Sequence, residues 1–433
     1  MSVDDDTGPA SNAFDRHLLH YGRDFLDALI VRAEGSYIHT QDGRAILDFS
    51  SGQMCATIGH NHPRIVEAMA QAGRTVLHLD STMLSPDVVE LAERLCALLP
   101  PSLNKAQFLN TGGEANEAAI RLAKIATGRF EVIGMAGSWH GTTTGAASAT
   151  YAHGRKNYGP AMPGSLAIPA PHGYRCPIRH CNGSCDMTCL DAGFDMIDAT
   201  SVGAEAALIV EPIQSAGGIV VPPEGYFKRL REHCDRRGIL LIFDEAQTGL
   251  GRVGELFGFE GEDVVPDILT LSKTLGGGLP LSAVVASETV AAKGREGGFA
   301  HYTSHASDPL TATVGLAVID VILGDNLVER AKSLGARLKD RLLELQRRHE
   351  AIGDVRGKGL LLGVEIVADR ETREPGHDLI ATFTDRCFAL GLNINRVGGP
   401  HSVWRIAPPL TISEEEIDRA IAILDQALTE ATG

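Results

Sequence analysis

Ile239-Leu-Leu-Ile-Phe-Asp-Glu-Ala-Gln-Thr-Gly-Leu-Gly-Arg252, followed by Asp267-Ile-Leu-Thr-Leu-Ser-Lys-Thr-Leu-Gly-Gly-Gly278, decides the fold. Ile239–Phe243 is an unbroken apolar run that stops at Asp244-Glu245, and Ile268–Leu271 stops at Ser272-Lys273. Such runs are too short for a buried helix and read as buried strands. Upstream, Ala206–Val210 stops at Glu211-Pro212, with a helical stretch from Gly225 to Arg237 in between. Apolar strands separated by helices predict a mostly parallel sheet covered on both faces. Ligands of such sheets bind beyond the carboxyl ends of the strands, so Asp244 and Lys273 should converge on one crevice.

Working outward, Glu114 to Ala126 and Val88 to Leu98 carry helical patterns, and Asp42-Gly43 between two β-like runs marks a hairpin. Ala312–Val321, Leu327–Arg348, Leu360–Ile366 and Ser413–Leu428 read as two helices, a strand and a closing helix of a smaller α+β unit. The expected organisation is therefore residues 1–65 as an N-terminal arm plus part of a small domain, 66–311 as the large domain, and 312–433 as the C-terminal small domain.

The chain has 433 residues and a net charge of −16. Such acidity argues against nucleic acid and anionic membranes as partners. The start, MSVDDDTGPASN, has neither a basic nor an apolar segment, and no run approaches the ~18 apolar residues of a membrane span. A cytoplasmic protein is the expectation.

A lysine and a carboxylate at one crevice suit pyridoxal 5'-phosphate. The amine can form a Schiff base, and the acid can keep the ring nitrogen protonated so that the ring accepts electrons. Lys273 precedes its glycines, so it is not a P-loop lysine. Asn110-Thr-Gly-Gly113 ahead of a helix is a phosphate site, since helix N-termini hold anions. Trp139, in a chain with two tryptophans, is a candidate ring-stacking residue.

Asn110-Thr-Gly-Gly-Glu-Ala-Asn-Glu-Ala118, Ser138-Trp-His-Gly141, Glu211-Pro-Ile213, Asp244–Arg252 and Leu271–Pro280 resemble the class III (ω-amino acid) aminotransferases, fold-type I pyridoxal-phosphate enzymes, over nearly the whole chain. The resemblance implies a homodimer, or a dimer of dimers, with active sites at the subunit interface, acting on amino acids and 2-oxo acids. It makes Lys273 the Schiff-base lysine and proton shuttle, and Asp244 the partner of the pyridine nitrogen. Gln247 would meet the ring hydroxyl, Trp139 the ring face, and Thr111, Gly112 and Gly113 the phosphate. His140, Glu211 and Ala246 would also line the cofactor. Ser304 would reach the phosphate of the neighbouring subunit.

Ser50-Ser-Gly-Gln-Met-Cys-Ala56, Tyr302–Leu310 and Val403-Trp-Arg-Ile-Ala-Pro-Pro-Leu410 are more similar to the 2,2-dialkylglycine decarboxylase branch. That branch implies decarboxylation of a 2,2-dialkylglycine such as 2-aminoisobutyrate, then amino transfer to pyruvate. Gln53 would hold the carboxylate perpendicular to the ring for loss of CO₂, and Arg405 would hold it in plane for transamination. Thr142 and Ala216 depart from the branch and bear on substrate size. A plain ω-transaminase, or a lyase or racemase on the same scaffold, is the alternative. The branch also implies an alkali cation, K⁺ or Na⁺, at Leu79, Ser81, Ser304, Ala306 and Asp308.

Separately, Cys176, Cys181, Cys185 and Cys189 lie in a C-x4-C-x3-C-x3-C run. Structural disulfides are disfavoured in such a protein, and thiolate binding of Zn²⁺ is the expected use.

Overall fold

The structure, a computed structural model, describes residues 17–19, 25–26, 28–178 and 185–430. At its centre a seven-stranded sheet runs Lys105–Leu109, Ser282–Ala286, Ile268–Leu271, Leu240–Asp244, Glu205–Val210, Glu131–Met135, Ser165–Ile168 in spatial order. All neighbours are parallel except Ser282–Ala286, which is antiparallel to both of its own. The apolar runs are continuous because both faces are covered. Ala207 and Ile209 pack with the helix Gly112–Thr127, whereas Leu208 and Val210 point into the larger core on the other side. Alternate residues of a strand face opposite ways, and each large side chain fully removed from water contributes roughly 1.5–3 kcal/mol.

Gly112–Thr127 begins two residues before the Glu114 that the pattern suggested. Thr111 is its N-cap, and Glu114 closes a capping box by accepting from the Thr111 N–H. The two glycines therefore form part of the first helical turn, with N–H groups pointing outward. Gly128, at φ +68°, ends the helix in the left-handed conformation.

The expected hairpin is present as Tyr37–Thr40 and Ala45–Asp48. Its second strand also pairs, in parallel, with Leu392–Asn393 from near the other end of the chain. A second antiparallel sheet combines Ile352–Lys358, Leu361–Asp369, Val403–Ile406 and Asn395–Val397. Helices Leu327–Arg348, His377–Ala389 and Glu414–Glu430 bury apolar stripes in the same part of the chain. Beyond the sheet pairing, Ala407 donates to Phe49 (2.8 Å) and Leu410 to Thr57 (2.7 Å) through the backbone. No single described helix is long and apolar enough to cross a membrane.

Candidate active site

Leu240–Asp244 and Ile268–Leu271 are parallel neighbours, with Asp244 opposite Thr270. The second strand stops at Leu271, and Lys273 opens a short 3₁₀ turn, Lys273–Gly276, with its own φ at +48°. A non-glycine residue in that conformation is strained, and such strain concentrates at functional positions. The turn re-aims the chain so that Lys273 and Asp244 face the same crevice.

Asp244 is buried and held on three sides. Oδ2 meets His140 Nδ1 (2.8 Å) and Asn116 Nδ2 (2.7 Å), and Oδ1 accepts from the Ala246 N–H (3.1 Å). Burial by itself raises this carboxyl, but the His140 hydrogen bond, then the charges of His140 and Lys273, bring it below the ordinary aspartate range. The site thus keeps an anion in its floor. The half-buried Lys273 amine is lowered, first by burial, while the Asp244 charge pulls it partly back up.

The phosphate-binding candidates surround a narrow cradle. A Cβ on Gly112 would stand 2.8 Å from Ser272 Oγ, so a side chain here would displace that hydroxyl from the cradle. Ser272 Oγ is itself buried without a hydrogen-bond partner. A buried unpaired hydroxyl is costly and here faces the outward N–H groups of the helix, so an acceptor-rich anion completes it. Trp139 is half-buried, with the Tyr158 ring at 6.5 Å. The Trp139 backbone N–H donates to Glu211 Oε1 (3.0 Å), and Glu211 Oε2 accepts from the Ser215 backbone N–H (3.1 Å). Burial pushes Glu211 up to about 7, against the neighbouring His140 charge. An anionic floor, a nearby amine and a cradle with an unpaired hydroxyl fit pyridoxal phosphate.

The far end of the site is assembled differently. Gln247 Oε1 accepts from both Ser215 Oγ (2.8 Å) and Arg405 Nη1 (2.9 Å). Its amide nitrogen is therefore the end left to face a ligand. Arg405 is only 5% exposed. Gln53 is exposed on the irregular turn Ser51–Met54. That turn is fixed by Asp48, which accepts from the N–H groups of Ser50 (3.0 Å) and Gly52 (2.6 Å), from Asn393 Nδ2 (2.8 Å), and pairs with His60 (2.8 Å). Thr57 Oγ1 lies 2.9 Å from Thr274 Oγ1, linking the same loop to the residue after Lys273.

The positions expected around a cation lie on residues 79–81 and 304–308, the latter next to Thr303, whose Oγ1 accepts from Asn110 Nδ2 (3.3 Å) beside the cradle. Leu79 and Ser81 are half-buried, Ala306 and Asp308 buried, and Ser304 exposed. The two Asp308 oxygens are engaged by nitrogens, His78 Nδ1 and His305 Nδ1, each at 2.6 Å. Of the clustered cysteines, Cys181 lies outside the described residues. Cys176 and Cys185 are half-buried, and Cys189 is buried. Burial, with Cys185 and Cys176 adding their charge, pushes the Cys189 thiol up to about 11.

Several residues escaped the sequence reading. Asn116 joins three parts of the floor, donating to Asp244 and to the His140 carbonyl (2.7 Å) and accepting from Thr270 Oγ1 (2.7 Å). Its signal was a lone amide between Ala115 and Ala118–Ala119 on a helix face that is otherwise alanine. Asp48 and Ser215 carried no such signal.

The family model for class-III aminotransferases matches residues 20–428. An uncharacterized aminotransferase of Schizosaccharomyces pombe is 49% identical over 421 residues, covering 96% of this chain and 94% of that protein. The leucine/methionine racemase of Thermococcus litoralis is 37% identical over 410 residues, covering 92% and 90%. The crystal structure of an (S)-enantioselective omega-transaminase from Thermomicrobium roseum superposes with a TM-score of 0.91 at 31% identity, over 98% of each chain. The chain belongs to the class-III aminotransferase family. It is an enzyme of fold type I whose cofactor is pyridoxal phosphate.

Proposed function

We propose that the enzyme is a decarboxylating transaminase that converts 2,2-dialkylglycines and pyruvate into a ketone, CO₂ and alanine. The observation that supports this is that Gln53 and Arg405, a neutral and a charged donor suited to carboxylates, lie on segments tied to each other and to the Lys273 turn. Bound pyridoxal phosphate supplies the electron sink for bond cleavage at the amino-bearing carbon. Lys273 carries a proton to and from that carbon, and Asp244 keeps the ring end of the pocket anionic. Gln53 donates an N–H to the carboxylate that is to leave. Because the amide is neutral, no charge partner is stranded when CO₂ departs. Arg405 binds the carboxylate that stays, by a bidentate fork, and leaves Gln247 to do so. Thr142 and Ala216 set the room for the alkyl groups.

The active unit is a homodimer in this reading. Leu77, Met83, Leu84 and Tyr302 each expose more than half of their surface. They lie on two segments tied to each other at His78–Asp308, next to the exposed Ser304. A shared apolar face there would bring Ser304 to a neighbouring site.

Holoenzyme given 2-aminoisobutyrate and pyruvate should release CO₂, acetone and alanine in equal amounts. Alanine formed from simple amines without CO₂ would replace this reading with a plain transaminase. The 37% identity to a racemase favours a second reading, amino-acid racemisation. Loss of optical activity of leucine or methionine without any oxo acid would establish it.

A further inference from the structure

Arg252 lies behind both carboxylate-binding residues and is 1% exposed. Its Nη1 donates to the carbonyls of Pro408 (2.5 Å) and Leu360 (3.2 Å), and its Nη2 reaches Ser51 Oγ (3.4 Å). Ser51 Oγ in turn donates to the Ala407 carbonyl (2.7 Å). One side chain thus touches the turn that presents Gln53 and the segment that follows Arg405. Every acceptor it has is neutral, and among the described residues no carboxylate pairs with it. Burial, then the charge of Arg405, push it down to about 9, so it stays charged at neutral pH. Burying a cation without a counter-charge is expensive, and neutral donors would satisfy three neutral oxygens at less cost. Two guanidinium groups at one end of a pocket create a field that favours an anion between or beside them.

We infer that Arg252 is a positioning residue that holds Gln53 and Arg405 in register, and that its unpaired charge strengthens carboxylate binding in both poses. The inference rests on the reading that Gln53 and Arg405 hold the substrate carboxylate, and does not depend on which reaction follows. Arg252 is thus a second charged group at this end, one that never touches substrate yet acts on both halves of the cycle.

The test compares Arg252→Met, Arg252→Lys and Ser51→Ala holoenzymes with the parent. Three quantities are measured: acetate inhibition constants, KM and kcat for each half-reaction, and cofactor content. Arg252→Met should raise the acetate constant and both KM values about tenfold, with smaller changes in kcat. Arg252→Lys, which keeps the charge, should recover most of that loss. Ser51→Ala cuts the Arg252 link to the Gln53 turn and that turn's bond to the Ala407 carbonyl, while Arg252 keeps Leu360 and Pro408, so it should raise the amino-donor KM about threefold and the pyruvate KM by clearly less. Unchanged acetate binding in a cofactor-loaded Arg252→Met enzyme would overturn the inference, as would equal losses in the Met and Lys variants. Should Arg252→Met not fold, the selective effect of Ser51→Ala decides, and its absence overturns the inference. If the parent enzyme fails to decarboxylate, the proposed reaction falls, while the acetate measurement still tests Arg252.

Discussion

The two ends of the active site are built by opposite means. The floor, with Asp244, Lys273, His140 and Asn116, grows from strand ends and a helix packed on one sheet, and its Asp244 charge is buried and held by His140 and Asn116. The carboxylate end is made where residues 48–57 meet residues 405–410, held by backbone hydrogen bonds and a cation with neutral acceptors only. The family's shared chemistry needs the first arrangement. Under the proposed function, selectivity would be carried by the second, where small changes in docking move a donor without disturbing the floor. Such a division would let one fold support both the transaminases and the racemase to which the chain is similar.

Substitutions can break or sharpen this contrast. The largest effect is expected at Lys273. Lys273→Ala should lower turnover by at least about 10⁴-fold, near the upper limit for removing an acid–base group. Borohydride should fix the cofactor to Lys273 in the parent, and peptide mapping to another lysine would break the account of the floor.

Asp244→Asn keeps the shape and removes the charge, and should cost about 10²–10³ in kcat. The Asp244 charge raises Lys273, so its loss should lower Lys273 further. In cofactor-free enzyme, the pH at which an amine reagent labels Lys273 should shift downward. An upward shift would contradict the coupling.

At the other end the expected effects are selective. Gln53→Ala should lose decarboxylation about tenfold more than amino transfer to pyruvate, and Arg405→Ala the reverse, as read from the two half-reactions. Equal losses in both would merge the two poses into one.

The smallest effect is at Asn116. Asn116→Ala leaves Asp244 and Thr270 each one partner short, and should cost on the order of 1–2 kcal/mol in urea unfolding of the holoenzyme.

The floor was legible in the sequence because its signals are local. An apolar run that ends in an acid or a lysine names both a strand and the edge of a crevice, and Asn110-Thr-Gly-Gly113 names a helix start. The other strands of the central sheet were harder to place, since Ser282–Ala286 runs against its neighbours and no local pattern gives direction. The carboxylate end was legible only as a resemblance. Asp48 and Arg252 are polar residues whose burial comes with partners 345 and 201 positions away. No periodicity encodes such pairs. Asn116 falls between these cases, being visible as a misfit on an alanine face but not assignable to Asp244 without the fold.

The pairing of Leu47 with Leu392 has a consequence for biosynthesis. The strand and turn that carry Gln53 leave the ribosome early but cannot be completed until almost the whole chain has been made. At ~5–20 residues per second, that leaves the hairpin's second strand with an open edge for roughly 20–70 s. Unpaired edges of this kind recruit other chains. The nascent protein therefore depends on what shields that edge while the ribosome finishes, and slowing elongation in the last hundred codons should lower its soluble yield more than slowing it in the first hundred.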